Sequence, residues 1–409
     1  MDRVRYLKYF TVIFSGGLLA QIIYFATIPL LSRLYSVEDF AQLSIFASLL
    51  VILNSISCLR YDVAITLAEK KSDVFKLCLI SFIISTVFSI VLLIILLIGA
   101  VFEFWSFFWL LLGFSVWFSS VFNIYLNYCL RWKKYKKISS IKVAQVALMS
   151  TFQILIAYVY PRIGAIGLIL GQMINYLVGG IFQIKKVLML RKIKKINIES
   201  LREVGVRYLN YFKFSTFDSI FNLVGLHLPI ILLTLFYDKL AMGLFYMGMR
   251  LIQTPLSLIM SSIGQLYYSN IQENTNSGVF FYTLKFVFVL ILIAVFGSCG
   301  YLLIAGNLID LILGDSWKDL PEMTFWLLPW FIMQLIASPI SSVMYVINSH
   351  QKMMYLTLFG FIIRVVPLFF LLNIGSIYVI EIFCLLNSLY YFICLLVFLF
   401  CAKKYGEKS

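Results

Sequence analysis

Long apolar segments alternate with short polar ones along the whole chain. Each apolar segment, such as 80–101, has the ~20 residues that a helix needs to cross the hydrocarbon core of a bilayer. A membrane β-barrel would instead show short segments of alternating hydrophobicity. The pattern predicts twelve membrane-spanning helices, at residues 11–31, 39–59, 75–99, 104–130, 141–160, 163–184, 212–235, 241–268, 279–304, 324–347, 354–372 and 376–400.

Composition supports an all-α integral membrane protein. The chain is 62% hydrophobic and 12% charged, with a mean hydropathy of +0.98, whereas soluble domains average about 25% charged residues. The first apolar segment follows Arg3, Arg5 and Lys8, as in a signal peptide. Because it is long and lacks a small-residue cleavage site, we predict that it is retained as the first span.

The distribution of Lys and Arg predicts the orientation. With these spans, 27 of the 33 basic residues fall on the side of the N-terminus, four fall on the opposite side and two fall inside spans. Basic loops remain cytoplasmic, so both termini are expected in the cytoplasm. The same topology explains the net charge of +15 without nucleic-acid binding, and the basic loops can contact the anionic headgroups of the phospholipid membrane.

A basic linker divides the twelve spans into two sets of six. Residues 6–10 (YLKYF) precede the first set, and residues 208–212 (YLNYF) begin the second. Two six-span halves of the same orientation are typical of transporters built from parallel repeats. The predicted domains are an N-terminal lobe at 1–184, a cytoplasmic linker at 185–211 and a C-terminal lobe at 212–409.

Motifs of soluble enzymes are missing from the sequence. No glycine precedes a lysine, so there is no phosphate-binding GxxxxGK[ST] loop. The two histidines, His227 and His350, form neither a metal cluster nor a triad, and the seven cysteines lack metal-ligand spacing. We therefore expect no catalytic residue, cofactor or metal, and we interpret the cysteines as buried packing residues.

Polar residues inside the spans are the candidate functional groups, because charge in a membrane is costly. Arg250 and Arg364 each lie about ten residues into a span, near the bilayer midplane by the helical rise. Polar stripes with helical spacing accompany them and predict a water-filled cavity: Gln253, Ser257 and Ser261 in span eight, Asp218, Asn222, Gly225 and Pro229 in span seven, and Lys142, Gln145, Met149 and Gln153 in span five.

Two interpretations of the polar residues in the spans remain open, one structural and one of ligand binding. Arg250 and Asp218 could pair to hold helices together, although the two arginines outnumber the midplane acids. As a ligand-binding group, a guanidinium would suit a phosphate through its bidentate fork.

Another set of span residues predicts a close helix contact by its small-residue spacing: Gly167, Gly171, Asn175 and Gly179 in span six.

Residues 33–40 (RLYSVEDF) and 59–65 (LRYDVAI) carry recognisable motifs. They resemble the first loop and second span of O-antigen and capsule repeat-unit flippases (Wzx-type). Residues 262–268 (SIGQLYY), and Gly314 with Trp317, resemble later parts. The likeness covers most of the chain in length and span order, with motifs of moderate specificity.

This resemblance implies a multidrug and toxin extrusion (MATE)-like fold with two six-helix lobes around a cavity. It implies a bacterial inner-membrane flippase, not an enzyme, that moves undecaprenyl-diphosphate-linked oligosaccharide to the periplasmic face. A polysaccharide polymerase and a chain-length regulator are the partners that such a role suggests. By resemblance, Arg60 and Asp62 belong to an RYD-type signature; a topological basic flank with a local ion pair is the alternative.

The resulting site predictions combine the residues with the resemblance. Arg60, Arg250, Arg364, Gln253 and Asn222 are predicted to bind substrate, while Asp218 and Asp62 are predicted to couple transport to H⁺ or Na⁺. Three other functions remain as alternatives. A MATE-type antiporter is expected to have acidic midplane residues. A polymerase or ligase is expected to have an outer catalytic loop longer than 305–323. A peptidoglycan-precursor flippase usually has extra spans.

Overall fold

The structure is a computed structural model that describes residues 3–68, 70–190, 197–209, 216–273, 278–347 and 349–406. In these ranges the chain forms helices and connecting turns, with no strand. The α-helices are α1 Arg3–Leu34, α2 Val37–Ser57, α3 Tyr61–Leu67, α4 Lys71–Val101, α5 Leu110–Arg131, α6 Tyr135–Val159, α7 Ala165–Leu190, α8 Ile198–Arg207, α9 Thr216–Phe236, α10 Lys239–Glu273, α11 Val279–Leu313, α12 Leu320–Ala337, α13 Val343–Val346, α14 His350–Ile374 and α15 Val379–Gly406.

Twelve of these helices correspond one to one with the twelve predicted spans. Within the described ranges, nine are long and apolar enough to cross a membrane. Helices α7 and α9 contain the shorter apolar stretches Ala165–Gly180 and Ile220–Phe236. Helix α10 covers the eighth predicted span, and its crossing of the membrane remains a prediction. The prediction of an all-α membrane protein is confirmed. It follows from the fact that lipid cannot satisfy exposed backbone polar groups.

Three features differ from the predicted pattern. The sequence predicts one helix over 324–347, but α12 ends at Ala337 and a 3-10 turn at Pro339–Ser342 follows, because proline lacks the N–H that a continuous helix needs. The predicted outer segment 305–323 is largely helical, since α11 extends to Leu313. Helices α3 and α8 lie in segments for which no helix was predicted.

The chain divides by its contacts into two compact units. Unit 1 contains Met1–Tyr35 and Gln42–Leu223, and unit 2 contains Ser36–Ala41 and Val224–Ser409. The start of α2 thus packs with unit 2. The predicted lobe boundaries at 1–184, 185–211 and 212–409 remain a prediction.

In unit 1, α1 packs on α6, while α5 and α6 pack on α7. The short helix α3 packs against α4 and α5, and α8 packs against α4. Two polar contacts fix α8: the Tyr61 hydroxyl donates to the Gly205 carbonyl at 3.0 Å, and Arg207 pairs with Asp73 at 2.9 Å. Val204 and Tyr208 are buried in the same cluster, so the linker helix is packed onto this end of unit 1.

In unit 2, α12 is the central helix and contacts α10, α11 and α15. Helix α14 packs on α15. Trp330 stacks on Phe331, with ring centroids 5.1 Å apart, and meets Phe383 of α15 edge-on at 5.6 Å. These large buried rings form a rigid core beside the two arginine-bearing helices α10 and α14.

Candidate functional site

Helix α10 presents a polar face that remains accessible. Gln253, Ser257, Ser261 and Gln265 recur every four residues and all are exposed. This spacing keeps them on one side of the helix. A polar face is costly against lipid tails and is satisfied by water or by polar partners, so this stripe remains a candidate lining for the cavity that the sequence predicts.

Arg250 lies on α10 and is almost buried, with 9% of its surface exposed. Its guanidinium carbon lies 5.9 Å from the ring centroid of Phe40, and Phe40 in turn meets Trp317 edge-on at 5.3 Å. A cation is attracted to the face of an aromatic ring, more strongly where water is excluded. The two rings therefore give Arg250 a defined position within unit 2.

Local sequence fixes both of these aromatic rings. The Ser36 hydroxyl accepts the Asp39 backbone N–H at 3.2 Å, and the Asp39 carboxylate accepts that of Ser36 at 2.9 Å. This reciprocal cap starts α2 at Val37 and orients Phe40. Gly314 has a φ of 96°, a conformation that favours glycine, and it begins the turn that places Trp317.

Arg364 lies on α14 with only 1% of its surface exposed. Its Nε donates to Asn387 Oδ1 at 2.8 Å, and its guanidinium carbon is 4.0 Å from the ring centroid of Tyr390 and 5.4 Å from that of Tyr391. Gly360 permits this packing, since a Cβ there would approach Tyr390 Cζ to 2.7 Å. The Nη2 atom has no hydrogen-bond partner among the described residues.

Arg60 and Asp62 lie where α2 passes into α3, in unit 1. Leu59 and Arg60 have φ values of 47° and 61°, and two successive left-handed residues that are not glycine store strain of about 1–3 kcal/mol each. No ion pair joins Arg60 to Asp62 in the described structure, and the buried Arg60 Nε has no hydrogen-bond partner there. The local ion pair is thus absent here.

Asp62 is buried, with 8% of its surface exposed. Its Oδ2 accepts a long hydrogen bond from Asn127 Nδ2 at 3.4 Å. Burial raises the pKa of this carboxyl above its usual range, although the charge of Arg60 and backbone N–H groups act in the opposite direction. Burial therefore makes ionisation of this side chain less favourable than in water.

The structure brings some predicted site residues together and separates others. Arg250 and Gln253 share α10, Arg60 and Asp62 share the α2–α3 junction, and Arg364 has a separate buried environment. Asn222 is exposed on α9. The Asp218 side chain lies outside the described residues, so its predicted pairing and coupling roles remain predictions.

From Gln145 to Gln153 the predicted polar stripe of span five is a packing surface instead of a cavity lining, whereas Lys142 at its start is exposed. Gln145 and Gln153 are buried, and their Nε2 atoms donate to the carbonyls of Asn175 at 3.0 Å and Leu168 at 2.8 Å on α7. Gly171 and Gly179 lie against these same side chains. The predicted close contact of span six is confirmed, and its partner is the stripe of span five.

Sequence reasoning missed the groups that hold the two arginines. Phe40 and Trp317 occur in segments that resemble the flippases, but the contact of Phe40 with Arg250, and of Trp317 with Phe40, could not be inferred from chain position. For Arg364 a signal existed: Asn387 is an amide inside an apolar span, followed by Tyr390 and Tyr391 on neighbouring helical positions. An amide there predicts an interhelical partner.

Comparison with solved structures identifies the fold. An inward-facing multidrug resistance MATE transporter superimposes with a TM-score of 0.61 and 12% identity, covering 97% of this chain and 99% of that one. Lipid II flippase MurJ in an inward closed conformation gives 0.69 and 15% identity, covering 97% and 87%. The eukaryotic MATE transporter AtDTX14 gives 0.61 and 11%, covering 99% of both chains. The chain is a multi-pass membrane protein with this transporter fold.

The family model for polysaccharide biosynthesis proteins matches residues 105–322, more than half of the chain. The chain belongs to the polysaccharide biosynthesis protein family. A sequence comparison with curated proteins finds no significant match.

Proposed function

We propose that this protein is a flippase for undecaprenyl-diphosphate-linked oligosaccharide repeat units of O-antigen or capsule. In this proposal it acts in the bacterial inner membrane with both termini in the cytoplasm, and alternating access carries the headgroup to the periplasmic leaflet. The observation that carries the proposal is the burial of Arg250 and Arg364 inside membrane helices of a polysaccharide-family transporter fold.

Electrostatics connect buried arginines to an anionic cargo. A guanidinium keeps its charge in proteins and binds phosphate oxygens through a planar fork of donors. Arg364 Nη2 has an unused donor, and Arg250 adjoins the exposed polar face of α10. A diphosphate entering from water loses hydration, and these charges offset that loss. Gln253 and Asn222 are exposed and are proposed to contact the headgroup, with Arg60 contacting it at the α2–α3 junction.

Ion coupling is proposed at Asp62 and Asp218. Asp62 has the property that a proton site needs, namely a pKa raised by burial. Protonation would remove the free-energy cost of its buried charge. It would also weaken the attraction of the carboxylate for the Asn127 amide and the Arg60 guanidinium. A gradient of H⁺ or Na⁺ would then drive the cycle, since the sequence lacks a nucleotide-binding loop.

Cell complementation tests the proposal. The gene is deleted, the surface polysaccharide is measured, and the leaflet of the lipid-linked pool is determined. We expect loss of polymer and accumulation of complete repeat units facing the cytoplasm, restored by wild type and by Arg162→Ala, an exposed loop variant, but not by Arg250→Ala.

Two outcomes would contradict the flippase. Complete repeat units accumulating on the periplasmic face would indicate a polymerase or ligase. Unchanged polysaccharide with new drug sensitivity would indicate an antiporter of the MATE type.

A further inference from the structure

Three asparagines with unused hydrogen-bonding groups lie near one another in unit 1. This amide track consists of Asn54 on α2 and of Asn123 and Asn127 on α5. Asn123 and Asn127 are one turn apart on the same face, and Asn127 Nδ2 donates to the Asn123 carbonyl at 3.1 Å. Ser120, a turn earlier on α5, donates to Asn54 Oδ1 at 3.4 Å. The track follows about 10 Å of α5 by the helical rise.

The hydrogen-bond inventory shows what the track leaves unsatisfied. An amide has two donor protons and a carbonyl acceptor. Both protons of Asn127 are used, toward Asp62 and the backbone carbonyl of Asn123, and its Oδ1 accepts no hydrogen bond from any described residue. The Asn54 Nδ2 and the whole Asn123 amide make no hydrogen bond in the part of the chain that the structure describes.

Interhelical bonding alone does not account for this arrangement. Gln145 and Gln153, which do hold two helices together, are buried and each donates to a carbonyl of α7. The three amides of the track are only partly buried, and within the described ranges the Asn123 side chain bonds to no neighbouring helix. Partly buried polar groups without protein partners are met by water or by a ligand.

We propose that the amide track is a sugar-recognition subsite that binds hydroxyl groups of the oligosaccharide cargo. Sugar hydroxyls donate and accept at once, as amides do, so the two match in hydrogen-bonding capacity. A diphosphate is an acceptor and would favour cations over neutral amides. Asp62 takes part by orienting Asn127. The inference rests on the proposed function and adds to it that residues of unit 1 recognise the sugar.

The test uses the purified full-length chain in detergent. The probe is the free oligosaccharide released by mild acid from the host's undecaprenyl-diphosphate-linked pool, and binding is detected by saturation-transfer NMR, which suits weak ligands. We expect transfer to sugar protons with wild type, a signal at least fivefold lower with Asn123→Ala, and an unchanged signal with Asn373→Ala. Asn373 is an exposed amide on α14 and serves as the matched control.

The outcomes separate the subsite from the flippase. Absence of transfer with wild type, or equal transfer with Asn123→Ala, would overturn the subsite. So would an equal loss with Asn373→Ala. Size-exclusion and thermal unfolding profiles establish that Asn123→Ala is folded; if it is not, Asn123→Ser replaces it. Translocation of the intact lipid-linked pool by wild type in vesicles is measured separately, so a failure of the proposed function is distinguished from a failure of this inference.

Discussion

Two helices carry polar stripes that look alike in sequence and differ in the structure. On α6, Gln145 and Gln153 are buried and donate to carbonyls of α7. On α10, Gln253 and Ser257 are exposed. Both stripes were predicted to line a cavity, so the residue types alone do not distinguish a packing seam from a wetted face.

The neighbouring helix explains the difference. Helix α7 has Gly171 and Gly179 where the glutamines of α6 lie, so the backbones approach closely and the side chains reach carbonyls. On α10, Gln253 and Ser257 remain exposed among the described residues. A polar stripe in one membrane helix should therefore be assessed together with the small residues of the helices that it could meet.

The largest expected effect comes from filling the seam. In Gly171→Val the added Cβ would lie 2.8 Å from Gln153 Cδ, and such overpacking should lower the free energy of unfolding by about 2–3 kcal/mol. Gly297→Val is the control, because a Cβ there meets no atom within 4 Å. Both are measured by chemical unfolding in detergent micelles. Equal stability of the two variants would remove the distinction between seam and open surface.

The rate of thiol labelling should differ by at least about tenfold between the two stripes, since the reaction requires access to the thiolate. In a Cys299→Ser background, which removes an exposed cysteine, Ser257→Cys and Ser261→Cys should react with a membrane-impermeant maleimide. Met149→Cys in the α6 stripe, 2% exposed in the parent, should not. Rapid labelling at position 149 would show that this stripe also faces water.

Removing one seam hydrogen bond should have a smaller effect. Gln153→Leu loses the 2.8 Å bond to the Leu168 carbonyl and should lower the free energy of unfolding by about 1 kcal/mol. Gln253→Leu should change it by less than about 0.5 kcal/mol, with the same unfolding measurement. A larger loss in Gln253→Leu than in Gln153→Leu would reverse the assignment of the two faces.

Asp62 combines features of both stripes and gives the smallest expected effect. It is buried like the α6 seam, yet it has one long hydrogen bond. Because its pKa is raised in the fold, the native state holds its proton more tightly, so the free energy of unfolding falls as pH rises from the unfolded pKa through the folded one. Asp62→Asn should match wild type near pH 4 and be more stable near pH 7.

Thermal unfolding at these two values measures this difference. A variant that is less stable than wild type at pH 7 would show that the ionised carboxylate is stabilised in the fold. It would also weaken the proposal that Asp62 binds a coupling proton.

Much of the fold could be predicted from hydropathy, because lipid leaves a spanning segment little choice except a helix. Shorter features depend on tertiary contacts that hydropathy does not encode. Helix α8 is held by Tyr61 and Asp73, which are distant in sequence, and α12 ends where Pro339 breaks the ladder. At the site, the cost of placing charge in a membrane predicted the buried arginines, whereas the position of Phe40 beside Arg250, and of Trp317 against Phe40, required the fold.

Reconstitution tests the proposed translocation most directly. Purified protein is placed in vesicles with the host's undecaprenyl-diphosphate-linked oligosaccharide, and the appearance of sugars on the outer leaflet is followed with a membrane-impermeant oxidant. The account predicts translocation by wild type and by Arg162→Ala, with a rate at least about tenfold lower for Arg250→Ala, equivalent to ~1.4 kcal/mol. Translocation by Arg250→Ala at the wild-type rate would contradict a role for the buried guanidinium, and the absence of translocation by wild type would contradict the flippase itself.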